Sequence, residues 1–295
     1  MQIPGELSVA RPEQATYIAG GRRKRWLRIF GYAAMVVILV LIGLPIYWMV
    51  IASFKQTREI YTAPPTWIPI RPTLQNYPDA WNAAPFARYY LNSFITTTIT
   101  SLSKMTLAVM SAYALVFLRF PRKNVVFLVI LAALMVPEQI TIIPNYLTLA
   151  SLGWLNTYQG IILPRAATAF GTFLMRQYFL TLPRDIMEAA EIDGAGHLRR
   201  LWDVALPLAR PALVTTGLFA VVSEWNEFLW PLIVTNVNEM RTLPIGVAFL
   251  FDQEGLSSWG VIMAGALFVI VPVIVLFIWA QQHIVEGLAA GAVKG

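Results

Sequence analysis

Apolar residues in this chain come in long uninterrupted blocks separated by short polar stretches. Residues 29–54 run for 26 positions without a charge, which at the helical rise is enough to cross a hydrocarbon core about 30 Å thick. Five further blocks follow. Residues 91–118 are broken only by Lys104, 125–144 carry Glu138, and 158–179 carry Arg165 and, at the far end, Arg176. Residues 212–235 carry Glu224 and Glu227, and a last block lies within 255–285. The pattern predicts an all-α membrane protein with six transmembrane helices.

The polar stretches have distinct characters. Residues 1–25 hold Pro4, Pro12 and the basic run Arg22-Arg23-Lys24-Arg25, read as a tail with a cytoplasmic anchor rather than a nucleic-acid site. Residues 55–88 are rich in proline and aromatics, as in an ordered loop. The 23 residues of 236–258, with Asn236, Asn238, Asp252 and Gln253, exceed what a turn needs. Residues 181–210 are different again. Pro183 opens a helix of about two and a half turns, with Asp185 and Glu188 near its positive end. Gly194-Ala195-Gly196 turns the chain, and a second helix starts near His197. Its Leu198, Leu201, Trp202 and Ala205 fall on one α-helical stripe, away from Arg199, Arg200 and Asp203. The result is a helix–turn–helix knuckle projecting from the membrane.

Composition supports the membrane assignment. Hydrophobic residues make up 57% and charged residues 13%, with a mean hydropathy of +0.61, too apolar for a soluble domain. With no cysteine and only His197 and His283, thiolate chemistry and histidine-rich metal clusters are excluded. There is no His-Glu-x-x-His and no convincing serine–histidine pairing for a hydrolase. Six spans put both termini on one side. Fifteen of the 22 lysines and arginines then lie with the tails, the 119–123 turn and the knuckle, against five on the other side. The positive-inside rule makes the knuckle side cytoplasmic.

Glu188-Ala189-Ala190, Asp193-Gly194 and, after nine residues, Val204-x-Leu206-Pro207 together resemble the signature loop of ABC importer permeases, with valine where isoleucine is usual. The closing Gly287-Leu-Ala-Ala-Gly-Ala-Val-Lys-Gly295 is similar to the tail of maltose-type permeases. The runs LRFPRKNVVFLVILAALMVPEQITIIPNY, GTFLMRQYFLTLP and EWNEFLWPL look most like the branch importing sn-glycerol 3-phosphate or glycerophosphodiesters. The resemblance implies the type I importer permease fold: a tail at 1–25, a transmembrane domain at 26–285 with a coupling loop at 181–210 and an external loop at 236–258, and a tail at 286–295. It implies a bacterial cell-membrane subunit that hydrolyses no ATP itself. ATP and Mg would sit on two partner ATPase subunits. A second, different permease subunit and an external solute-binding protein would complete the assembly, with Glu188, Ala189, Ala190, Asp193 and Gly194 coupling this chain to the ATPase.

Ionisable groups inside spans are costly and face cavities or partners. Counted along straight spans, Glu138, Arg165, Glu224 and Glu227 fall in the outer halves of their helices, and Lys104 lies near the middle of its own. Such a set suits a water-filled vestibule, and it equally suits an Arg165 that pairs with a glutamate to hold the bundle. Glu224-Trp225-Asn226-Glu227 interleaves an aromatic with hydrogen-bonding groups, a surface fit for a polyol or sugar. Trp230 is read as an interfacial anchor. A stand-alone secondary carrier or channel using the same charges is the alternative.

Overall fold

The computed structural model describes residues 19–251 and 258–292, and side chains within 25–251 and 258–281. His283, Asp252, Gln253 and the side chains of the closing tail fall outside. Among the described residues the architecture is all-helical. Helix α1, Ala19–Ser53, starts earlier than the apolar block and takes in the basic run that was read as tail. Arginine and lysine are good helix formers, and nothing between Gly21 and Trp26 breaks the winding. At the other end, α15, Trp259–Ala292, continues through most of the stretch read as closing tail.

Helix α4, Phe86–Phe117, is the axis of the bundle, packed on α8, Ala169–Phe179, and on α12, Arg210–Trp225. Its buried face carries Asn92, Ser93, Thr96, Thr97, Thr100 and Ser101 at three- and four-residue spacing. Small residues let backbones approach. The Thr96 hydroxyl donates to the Asn92 carbonyl and Ser93 Oγ accepts from the Leu243 amide, both at 2.8 Å, whereas the buried Thr97 and Ser101 hydroxyls have no hydrogen-bond partner among the described residues. The approach is close at Gly171 of α8. A Cβ there would lie 2.6 Å from Thr168 Cγ2 and 3.2 Å from Ala108 of α4. Helix α1 packs on α15 and leaves its apolar surface, from Trp26 to Tyr47, largely outward-facing.

Two apolar cores lie at opposite ends of α4. Phe86 and Tyr89 pack with Leu243 of α14, Leu243–Phe249, and with Leu250 and Ile262 at one end. Ala108, Ala112 and Tyr113 pack with Met175, Phe179, Met187, Leu201 and Ala205 at the other, joining the knuckle to the bundle. The loop after α1 is ordered, as its composition predicts. Fully buried Lys55 donates to Thr66 Oγ1 at 2.9 Å over the Trp48 ring, and Glu59 Oε1 accepts from the Ile70 amide at 2.8 Å. Short helices α2, Thr57–Ile60, and α3, Asn76–Ala83, lie in this loop.

Three blocks read as continuous spans are broken. The third divides into α5, Lys123–Leu134, and α6, Glu138–Ser151, bent by 94°. Pro137 lacks an N–H and restricts the residue before it, so α5 stops there. The fourth is α7, Tyr158–Ile162, a 3₁₀ turn over Leu163–Arg165, and then α8, capped by Thr168 Oγ1 accepting from the Gly171 amide at 3.2 Å. The fifth is α12 followed, after Asn226–Phe228, by α13, Leu229–Val234, whose Trp230 amide donates to Glu227 Oε1 at 3.0 Å. Three described helices are individually long and apolar enough to cross a membrane, and up to five crossings result if two sharply bent pairs, α5 with α6 and His197–Leu208 with α12 (bent by 86°), each count as one.

Candidate functional site

Each break carries a charge. Arg165 closes the 3₁₀ turn, Glu138 opens α6, Glu224 lies in the last turn of α12 beside its break, and Glu227 lies within that break. Irregular backbone at membrane depth survives only where protein buries it or a cavity meets it. Here the charges converge. Arg165 Nε donates to Glu224 Oε2 and its Nη2 to Glu224 Oε1, both at 3.1 Å, a two-point fork on one carboxylate. The same Nη2 lies 2.8 Å from Glu227 Oε2, and Nη1 donates to Glu138 Oε1. Lys104 Nζ also donates to Glu224 Oε1.

Lys104 therefore belongs to the cluster, which counting along straight spans missed. Lys104 and Glu224 each stand about four turns from the knuckle ends of α4 and α12, so the two helices bring them level. The set holds three carboxylates against two cations, one net negative charge. Arg165 is both a bundle strut and a wall of a cavity of about 350 Å³ lined by Glu138, Gln139, Thr141, Asn145, Arg165 and Glu227, with Phe228 and Trp230 among its apolar wall. That volume suits a small solute.

Trp225 and Asn226 do not line this cavity. The Trp225 indole donates to the Val269 carbonyl of α15 at 2.9 Å, and exposed Asn226 bonds the Val222 carbonyl of its own helix at 2.8 Å. Trp230 is not an interfacial anchor. It is buried, and its indole N–H is shared between the Gly160 and Ile161 carbonyls at 3.3 and 3.2 Å, because α13 folds back against α7.

The knuckle is a second constellation. Helix α9, Arg184–Ile192, spans the expected two and a half turns from Pro183. It ends in a Schellman motif, with the Ala195 amide on the Ala190 carbonyl at 2.9 Å and the Gly194 amide on the Glu191 carbonyl at 3.0 Å. Gly194 has φ +79°, and no atom lies within 4 Å of where its Cβ would be, so the backbone angle alone demands glycine.

The second arm departs from the α-helical stripe. After α10, His197–Arg199, it winds as a π-helix over Arg200–Ala205 and ends at α11, Leu206–Leu208. The wider winding turns Arg200 inward with Leu201 and Ala205, and leaves Leu198 and Trp202 68% and 65% exposed. Arg200 Nη1 pairs with Glu191 at 2.6 Å and its Nη2 meets His197 Nδ1 at 2.9 Å, locking the arms together. Glu188, Ala189 and Asp193 are exposed and Ala190 is half-buried, on a surface that also presents Ile186, Ile192, Leu198 and Trp202.

Residues 104–289 match the family described as "Binding-protein-dependent transport system inner membrane component". The chain belongs to this family. It is accordingly a permease subunit of a binding-protein-dependent importer, which displaces the stand-alone carrier or channel alternative. The permease is 35% identical over 272 residues to the sn-glycerol-3-phosphate transport system permease protein UgpE of Yersinia pestis bv. Antiqua (strain Antiqua), covering 90% of this chain and 97% of that one. Its identity to the protein of the same name from Escherichia coli O6:K15:H31 (strain 536 / UPEC) is 35% over 270 residues, covering 89% and 96%. These relatives are transport permeases, not enzymes. The fold superposes with a TM-score of 0.80 and 25% identity on a chain of a bacterial ABC transporter involved in the import of the acidic polysaccharide alginate, covering 89% of the permease and 98% of that chain. A chain of a bacterial alginate ABC transporter, in complex with a pentasaccharide-bound periplasmic protein, shares the fold at TM-score 0.64 and 13% identity.

Proposed function

We propose that this permease imports a small acidic carbohydrate derivative, sn-glycerol 3-phosphate, a glycerophosphodiester or a related sugar, past the Arg165 cluster. The observation that carries this reading is the convergence of Glu138, Arg165 and Glu227 from three helix breaks onto one cavity wall, with buried Glu224 bracing Arg165 from behind. The relatives named for sn-glycerol 3-phosphate and the fold neighbour that imports an acidic polysaccharide both handle anions. Trp225 lies outside that cavity, in a small recess on the other side of the cluster with Arg165, Glu224 and Glu227, and Asn226 follows it at the α12 break. Solute-stimulated ATP hydrolysis in the reconstituted complex tests the reading. Arg165→Lys keeps the charge and loses the planar fork, so its half-saturating sn-glycerol 3-phosphate concentration rises roughly tenfold. An unchanged solute dependence refutes it.

The working assembly contains this chain, a second and different permease subunit, two ATPase subunits that hold ATP and Mg, and an external binding protein. Each broken pair counts as one crossing, α5 with α6, α7 with α8, and α12 with α13. The chain then crosses six times in residues 26–285, with the tails at 1–25 and 286–295 and the coupling loop 181–210 in the cytoplasm, and the loop 236–258 outside. A cysteine at Thr62 is expected to react with an impermeant thiol reagent in intact cells, and one at Arg199 only after permeabilisation. The opposite labelling inverts the topology.

Coupling runs through the knuckle. Glu188, Ala189, Ala190, Asp193 and Gly194 present the docking helix, and Leu198 and Trp202 supply apolar surface that the bundle leaves uncovered. Met187 and Leu201 reach from the same arms into the core around α4 and α8, so a pull on the knuckle moves those helices. ATP and the binding protein each favour one of two arrangements through contacts at opposite ends of the bundle. Trp202→Ala is expected to reduce recovery of the ATPase subunits in pull-downs about tenfold, as truncation of an aromatic anchor does. Wild-type recovery removes Trp202 from the interface.

A further inference from the structure

The three carboxylates around Arg165 are not equivalent. Glu224 is buried, takes two guanidinium nitrogens and is shared with Lys104. Glu227 has a side chain 20% exposed and a second anchor in the Trp230 amide. The Glu138 side chain is 65% exposed and is held through one oxygen by Arg165 Nη1. It stands on the first residue of α6, next to the Pro137 break, and already lines the cavity.

We propose that Glu138 is a displaceable stand-in for the acidic group of the solute, holding the Nη1 side of Arg165 until the solute's own anion takes that place. This rests on the reading of the cavity as the solute path. The charge balance favours an exchange. With Glu138 in place the cluster carries one net negative charge and repels an anion. Once Glu138 swings into water, Arg165 and Lys104 balance Glu224 and Glu227, and the freed Nη1 offers a charge-assisted donor to a phosphate or carboxylate. Gln139, Thr141 and Asn145 on the same wall supply amide and hydroxyl groups for the uncharged remainder. Between turnovers the pair keeps Arg165 satisfied, so no bare cation faces the cavity. It also lowers the apparent affinity of the resting state by the fraction of time that Arg165 is occupied.

The test is equilibrium binding of radiolabelled sn-glycerol 3-phosphate to the assembled transporter in nanodiscs without its binding protein, with glycerol as the uncharged probe. Glu138→Gln is expected to tighten sn-glycerol 3-phosphate binding roughly fivefold and to leave glycerol unchanged, because a half-exposed single-point pair is worth about that factor. Co-purification of all subunits establishes assembly. If Glu138→Gln fails to assemble, Glu138→Asp, whose shorter arm draws the carboxylate back from Nη1, is expected to shift binding in the same direction. Unchanged or weaker binding in the variant that assembles overturns the exchange, as does equal tightening for glycerol or no measurable binding of sn-glycerol 3-phosphate in any form. Arg165→Lys separates the two levels of the argument. If it weakens binding while Glu138→Gln does nothing, the exchange fails and the path reading stands. If neither variant changes binding in a complex that still transports the probe, the path reading itself fails.

Discussion

Arg165→Met is expected to disrupt assembly more than any other single change in the bundle, and a second substitution chosen from the geometry restores part of it. Removing the guanidinium takes the two-point partner from buried Glu224 and the ion partner from Glu227. Breaking a buried ion pair on one side costs about 3–5 kcal/mol, because the remaining charge stays desolvated. The three carboxylates fare differently afterwards. Glu224 keeps Lys104, and exposed Glu138 already lines the cavity. Glu227 keeps only the Trp230 amide. Adding Glu227→Gln to Arg165→Met is therefore expected to recover a substantial share of folded complex, whereas adding Glu224→Gln leaves Lys104 without its carboxylate and recovers none. Yield and melting temperature of the detergent-purified assembly measure this. Equal recovery by both double variants contradicts the pairing described above.

Gly194→Val is expected to abolish recovery of the ATPase subunits and solute-stimulated ATP hydrolysis while leaving the permease inserted in the membrane. The reason is local. Gly194 has φ +79°, a conformation that a β-branched residue adopts only at a cost of about 1–3 kcal/mol. Relief of that strain opens the Schellman motif and misaligns α9 with the π-wound arm. Because no atom lies within 4 Å of a Cβ at this site, side-chain bulk is not the cause. Gly194→Asn, which tolerates the left-handed region, is then expected to retain most of the coupling. Pull-down and ATPase assays on the two variants check the pair of outcomes. A Gly194→Val complex with wild-type coupling would show that the turn geometry is dispensable.

Much of this protein was legible in the order of its residues. The apolar blocks mark a membrane-embedded helical protein and Pro183 to Gly196 mark a helix and its turn, since these are properties of chain length and local backbone preference, and the resemblance of Glu188–Pro207 to a known signature loop adds the importer permease. The left-handed Gly194 and the length of α9 belong with these, because a helix stop is written within a few residues. Period counting failed at Leu198 and Trp202. It assumes α-helical winding, and the π-turn at Arg200–Ala205 changes the phase.

The site was harder to read. Glu138, Arg165, Glu224 and Glu227 stood out as charges in apolar surroundings. That they meet, that Lys104 joins them, and that Trp225 and Asn226 turn away from the cavity depend on three helix breaks and on the relative level of α4 and α12. A proline or a charge in a run marks a possible break without saying where the two halves go. That direction comes from neighbouring helices. The close contact at Gly171, the return of α13 against α7 and the two cores at the ends of α4 set which side chains share one depth. Local sequence thus determined which residues had to be charged and where helices could stop, and tertiary packing alone decided which charges touch, because depth and azimuth in a bundle are properties of several helices at once.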